Sequence, residues 1–233
     1  IGSIFSRLTI EAPIVKEKSS FILALRRSYA DVLAKPFLKN SSFLNDGWAL
    51  NFYDLTAKIN FNLDEKNRIF FSSYLGRDNF RFDERQGFNW GNSTGTIRWN
   101  HLFNDRLFSN FTTIYSNYDY QLAFGSDDRN KFEWDSKIET LNLKPEFTYF
   151  IDTNNEFSVG GEFLIYRFEP ANAQGVSDGK ITDITIPKKY AFEGSFYLGN
   201  EQKFSNFSFS YGLRTSFYKY LGPGTKYIFN PSI

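Results

Sequence analysis

His101 is the only histidine among 233 residues and lies in the run RWNHLFND. An imidazole changes charge near neutral pH, and such a base beside a serine hydroxyl is the start of a hydrolase triad. Serines and asparagines are plentiful enough to complete one. Trp99 and Phe103 flank His101, however, and a polar turn follows at once, a setting that suits an amphipathic ring at an interface. Carboxylates offer a second chemistry. Asp54, Glu146, Glu162 and Glu193 recur on the polar side of alternating stretches, and a glycosidase needs two carboxyl groups about 5–10 Å apart. No spacing singles out such a pair, and Arg7, Arg26, Lys58, Lys144 and Arg214 occupy equivalent places in the pattern. Ion pairing among them is the simpler expectation. One histidine and no cysteine limit metal chemistry to an oxygen site, and GSDDRN at 125–130 lacks the ligand spacing of a calcium loop. GPGT at 222–225 has no strand–helix context that would make it a phosphate cradle. The expectation is therefore no catalytic residue, no metal and no cofactor.

The elements that carry these side chains alternate with period two. In 53–63, Tyr53, Leu55, Ala57, Ile59, Phe61 and Leu63 fall on one face, and Asp54, Thr56, Lys58, Asn60 and Asn62 on the other. About eleven residues of unbroken alternation is what a tilted strand needs to cross a bilayer, whereas strands of soluble sheets average about 5–6. The pattern recurs near 4–12, 20–28, 141–149, 157–165, 190–198 and 207–217. Aromatics on both parities blur 68–75 and 107–115. The total is about ten strands.

Composition agrees with a wall that is greasy on one side only. Phe (28) and Tyr (14) dominate and aromatics reach 20%, yet the mean hydropathy is -0.42. No run approaches the roughly 18–20 apolar residues of a membrane helix. With 27 basic against 26 acidic residues, there is no footprint for nucleic acid. Connections alternate in length. Tight ones rich in Asn, Asp and Lys fall at 16–19, 64–67, 104–105, 152–155 and 200–203. Long ones fall at 30–47, 77–86, 119–133, 169–187 and from 219 onward. That is the layout of an outer-membrane β-barrel, with short periplasmic turns and long extracellular loops. It sets Leu63, Trp99 and Phe103 at the periplasmic interface and Tyr29, Trp90 and Trp134 toward the outer one. The loop aromatics Phe37, Phe43, Phe80, Phe82, Tyr120 and Phe124 could stack on sugars, grip a partner or pack the loops together.

Several phrases carry a resemblance: GSIFSRLTIEAPI, KEKSSFILALRRSYADVL, FYDLTAKINFNLDEKNRIFFSSYLGRD, GNSTGTIRWNHLFNDRLFSNFTTIYSNYDY and FSYGLRTSFYKYLGPGT. The chain resembles the first barrel strands of TonB-dependent outer-membrane receptors of the Bacteroidetes type, over nearly its whole length. The resemblance implies a 22-stranded barrel plugged by an N-terminal domain, which imports a nutrient of the siderophore, glycan or peptide class. Residues 1–233 would then be roughly the first half of the wall, with the plug and the remaining strands outside this chain. Implied partners are outer-membrane lipid and lipopolysaccharide, the TonB complex through the N-terminal part, and a surface lipoprotein. A transporter-like barrel that scaffolds an outer-membrane complex is the alternative. In either case Arg26, Asp54, Lys58, Glu146, Glu162 and Arg214 are candidate lumen residues that meet plug or substrate. Phe80, Phe82, Tyr120 and Phe124 are candidate extracellular contacts.

Overall fold

Alternating apolar and polar residues satisfy their backbone groups by pairing with neighbours, and here they build one eleven-stranded antiparallel sheet. The structure is a computed structural model that describes residue 2 and residues 4–38, 48–82 and 86–223; Phe43 and residues 231–233 lie outside these. The strands are β1 (Phe5–Val15), β2 (Ser19–Ser28), β3 (Ala49–Asn62), β4 (Asn67–Arg81), β5 (Gly87–Leu102), β6 (Leu107–Asp127), β7 (Asn130–Asp152), β8 (Asn155–Ser177), β9 (Lys180–Ile186), β10 (Lys189–Phe204) and β11 (Phe207–Gly222). One helix, α1 (Ala30–Leu38), follows β2. Each strand pairs with the next, except that β8 is flanked on one side by β9 along its upper part and by β10 below. Pro187, which has no N–H for the ladder, stands in the break between β9 and β10.

The register fixes which residues share a face. Leu8, Leu25, Leu55, Leu75 and Ser93 form one continuous rung, and Arg7, Arg26, Asp54, Gly76 and Asn92 form the adjacent one on the opposite side. The apolar face is the open one. Along β7, Leu141, Leu143 and Tyr149 are exposed while Thr148 on the polar side is buried. Despite 28 phenylalanines, the only buried apolar residues among those described are four alanines and Leu221. A soluble domain of this size would bury its large rings. Apolar outside, polar inside and no apolar core is the arrangement of a bilayer-spanning barrel wall.

The short turns stand where the sequence puts them, with one shift. Asp64, Asn104 and Asp152 each accept N–H groups two or three residues on, at 2.7–3.0 Å, closing the turn with their own side chain. The turn expected at 200–203 instead falls after Phe204, where Ser205 takes a φ of 41°. The long connections differ more. Residues 119–133 and 169–187 are mostly strand, because β6, β7 and β8 run on for 21, 23 and 23 residues. A bilayer uses only about 9–11 residues of a strand, so these hairpins continue well above it. Hairpin β8–β9 closes on Asp178 and Gly179, both at positive φ (49° and 77°), a turn that matches strand twist.

Candidate functional site: the inner wall

All six residues singled out as lumen-facing share the polar face. Three of them gather on β7, β8 and β11. Glu162 is the hub: it accepts from Asn142 Nδ2 at 2.9 Å, pairs with Lys144 at 3.4 Å and with Arg214 at 3.2 Å. The same guanidinium donates to Ser195 Oγ at 2.8 Å, and it lies 5.8 Å from the ring centre of Tyr197. One rung away, the Tyr197 hydroxyl donates to Glu146. Higher on the wall the Tyr166 hydroxyl donates to Glu193 at 3.1 Å.

Two of these bridges cross a strand, and the residue beneath each crossing is small. Tyr197 on β10 reaches Glu146 on β7 over Gly160 of β8; a Cβ there would stand 2.5 Å from the tyrosine ring carbon and 2.9 Å from the Pro145 carbonyl oxygen. Arg214 likewise passes Ser195 on its way to Glu162. Arg26 needs no crossing, because Asp54 is its direct register partner at 2.6 Å, and its guanidinium stands 4.9 Å from the Phe52 ring centre. Lys58 has no hydrogen bond or ion pair among the described residues.

Of the candidate extracellular aromatics, Phe80, Tyr120 and Phe124 belong to strand extensions rather than loops. Phe80 is the penultimate residue of β4 and Phe82 lies just beyond the strand, with ring centres 4.6 Å apart; Phe80 also meets Phe88 at 5.0 Å. Phe88 stacks on Trp90 at 5.5 Å, and Trp90 faces Tyr120 in register. Phe124 faces Phe132. Trp90 and Trp134 therefore stand on the polar-face parity, not in an outer lipid belt as expected, since each pairs in register with residues of the inner face. Lower down, a row of aromatics forms on the apolar face. Trp99, Phe111 and Phe147 follow each other at 5.6 and 5.4 Å, and Phe103 stands 6.3 Å from Phe147.

His101 sits in that row, 4.4 Å from Phe103, with its Nδ1 2.8 Å from Asn67 Oδ1. The same oxygen accepts from Trp99 Nε1 at 3.0 Å. Among the described residues no carboxylate or serine hydroxyl hydrogen-bonds the ring, whose partners are an amide and aromatic neighbours. Among the described residues no group of three or more His, Cys, Asp or Glu could hold a metal ion.

On the outer face the apolar band ends abruptly on one parity. Leu141 and Ile165 give way to Glu139 and Arg167, which pair at 2.9 Å, then to Lys137 and Glu169. Glu169 binds Arg167 at 2.6 Å and Lys188 at 2.9 Å, and the lysine, with help from the arginine, holds its carboxyl below the usual range. At the opposite end, hydrogen bonds from the Asn67 amide and the Lys66 N–H hold Asp64 below its usual range too. Farther round the rim, Arg77 crosses Gly91 to reach Asp119 at 2.6 Å.

Sequence reasoning missed Arg98, Ser195 and Tyr197 as inner-wall residues that matter. Arg98 lies in β5, whose Gly, Ser, Thr and Asn leave no visible parity. Gly160 was the available signal for Tyr197, since a glycine inside a strand marks a close approach.

No family model matches the chain, and no curated protein does. Solved structures do. The ferric preacinetobactin receptor BauA of Acinetobacter baumannii superposes with a TM-score of 0.66 at 10% identity, over 93% of this chain and 39% of that one. The ferric citrate transporter FecA gives 0.64 at 11%, over 93% and 35%. The siderophore receptor PiuA of Acinetobacter baumannii gives 0.58 at 11%, over 93% and 44%. The chain thus spans less than half the length of the proteins it resembles, and what it shares with them is the fold, a partial antiparallel β-barrel of the TonB-dependent receptor kind.

Proposed function

We propose that this chain is part of the wall of a TonB-dependent importer in a bacterial outer membrane, with no catalysis of its own. The observation that supports it is the two-sided sheet: apolar residues outside, and inside a polar wall whose charges are organised across four strands around Glu162. Among the described residues β1 and β11 each have one unpaired edge, so further strands would close the barrel, and a plug domain elsewhere in the protein would fill it. The cargo is a siderophore, glycan or peptide, met above the bilayer by the ring wall of Phe80, Phe82, Tyr120 and Phe124. Arg26, Asp54, Lys58, Glu146, Glu162 and Arg214 are the wall's contacts to plug or cargo. The resemblance to Bacteroidetes-type receptors adds a surface lipoprotein as partner, and the charged outer rim suits lipopolysaccharide.

Deleting the gene and following accumulation of labelled iron, glycans and peptides tests the reading. Import should be lost for one class, and a protonophore should abolish that same uptake in the wild type. Unchanged uptake, with a surface lipoprotein released from the membrane, would instead support the scaffold.

A further inference from the structure

Some cations of the inner wall, such as Arg26, Lys144 and Arg214, are closed by a carboxylate. Among those that are not, two converge on one cavity. Lys58 on β3 and Arg98 on β5 make no ion pair and no hydrogen bond among the described residues, yet they line one cavity of about 350 Å³. The register shows how. Lys58, Ser72 and Thr96 form one rung across β3, β4 and β5; Asn60, Phe70 and Arg98 form the next. Strands lie about 4.8 Å apart and same-face rungs about 7 Å, so the cations stand at opposite corners of a patch both side chains can reach across.

What lies between them is a set of donors. The Ser72 and Thr96 hydroxyls are uncommitted, and Asn60 accepts from Ser20 through its carbonyl oxygen, which leaves its amide N–H groups free. Phe70 forms an apolar floor. Glu11 is the one carboxylate at the edge, two strands from Lys58, and it pairs with neither cation. The cavity lies at the height of the apolar band, behind Ile59, Phe71 and Ile97. It is deep in the wall, far below the ring wall at the upper rim.

We propose that this cavity binds a small polyanion, a phosphate or polycarboxylate bearing at least two negative charges. Two cations at opposite corners match separated charges on one ligand, and the hydroxyl and amide donors between them complete the coordination of its oxygens. The volume suits a compact solute better than a protein segment. The inference rests on the proposed reading that this face lines a lumen.

The test uses the full-length protein in lipid nanodiscs, titrated calorimetrically with inorganic phosphate and, separately, with citrate. Saturable binding of at least one anion is expected, and which one binds separates the two chemistries. Lys58→Gln and Arg98→Gln should each weaken it about tenfold or more, as loss of one charge-assisted contact does. Lys203→Gln, at the exposed lower end of β10, should leave it unchanged. Ser72→Ala and Thr96→Ala serve if the charge variants fail to insert, each expected to weaken binding severalfold. Absence of binding up to millimolar anion overturns the proposal and points to an acidic segment of the protein already occupying the cavity. Binding that all four variants leave intact overturns it as well. Import and binding are separate readouts: binding lost with import intact removes only this cavity, and import absent with binding intact removes only the transporter.

Discussion

The inner wall is two surfaces with one sequence pattern. On β7 to β11 the cations Lys144 and Arg214 are closed by Glu162, and Tyr197 is closed by Glu146. On β3 to β5 the cations Lys58 and Arg98 are open. The difference separates charges that hold the sheet from charges that remain addressable. It also predicts unequal costs. Glu162→Ala strands two cations and one amide and should lower stability by roughly 2–3 kcal/mol, as removal of a partly buried hub does. Lys58→Ala strands nothing and should stay within about 0.5 kcal/mol. Urea unfolding of the refolded protein in vesicles, read by heat-modifiable mobility, measures both. Equal costs would break the distinction between the two surfaces.

A smaller effect probes how the closed surface is built. Gly160 lies beneath the Tyr197–Glu146 bridge and Gly91 beneath the Arg77–Asp119 bridge, one on each face of the sheet. At Gly160 an added methyl meets the stiff tyrosine ring and the Pro145 backbone oxygen, so Gly160→Ala should cost about 1–3 kcal/mol. At Gly91 the nearest atoms are the end of the Arg77 guanidinium, which can swing away into water. Gly91→Ala should cost less than about 1 kcal/mol, because a flexible guanidinium gives way where a ring cannot. A double-mutant cycle with Tyr197→Phe sharpens the point: the tyrosine change should cost little once Gly160 is already alanine.

How much of this was legible follows the same physics. The faces of β3, β7, β8, β10 and β11 could be read directly, because Leu and Phe alternate there with charged residues, and the six lumen candidates fell on one side accordingly. β5 could not, since Gly91, Ser93 and Gly95 stand on the apolar parity where no hydrophobic signal marks it. Arg98 was lost with it. The upper hairpins have a loop-like sequence for a related reason. Above the bilayer both faces are wet, so alternation between Asp119 and Glu133 fades while the ladder continues. Trp90 and Trp134 are expected in an outer lipid belt from their distance to a turn, but register sets them on the polar face, because distance to a turn carries no information about parity. Cross-strand partners such as Ser195 and Glu162 depend on register across three strands, which local pattern does not encode.

The outer rim supplies a third kind of charge, closed but wet, and pH should expose it. Glu169 is held below its usual range first by Lys188, so its contribution is present above the unfolded value of about 4.3 and fades as pH falls through the lower folded value. Glu169→Gln should therefore cost no more than about 1 kcal/mol at neutral pH, an exposed network being weak. The gap between variant and wild type should narrow as pH is taken from neutral into acid below the unfolded value, where the native carboxyl takes up its proton. Unfolding midpoints of both proteins at neutral and acid pH give the answer. A gap that persists in acid would mean that Glu169 acts through packing rather than charge, and the rim would then belong with the tightly packed crossing at Gly160 instead of standing apart from it.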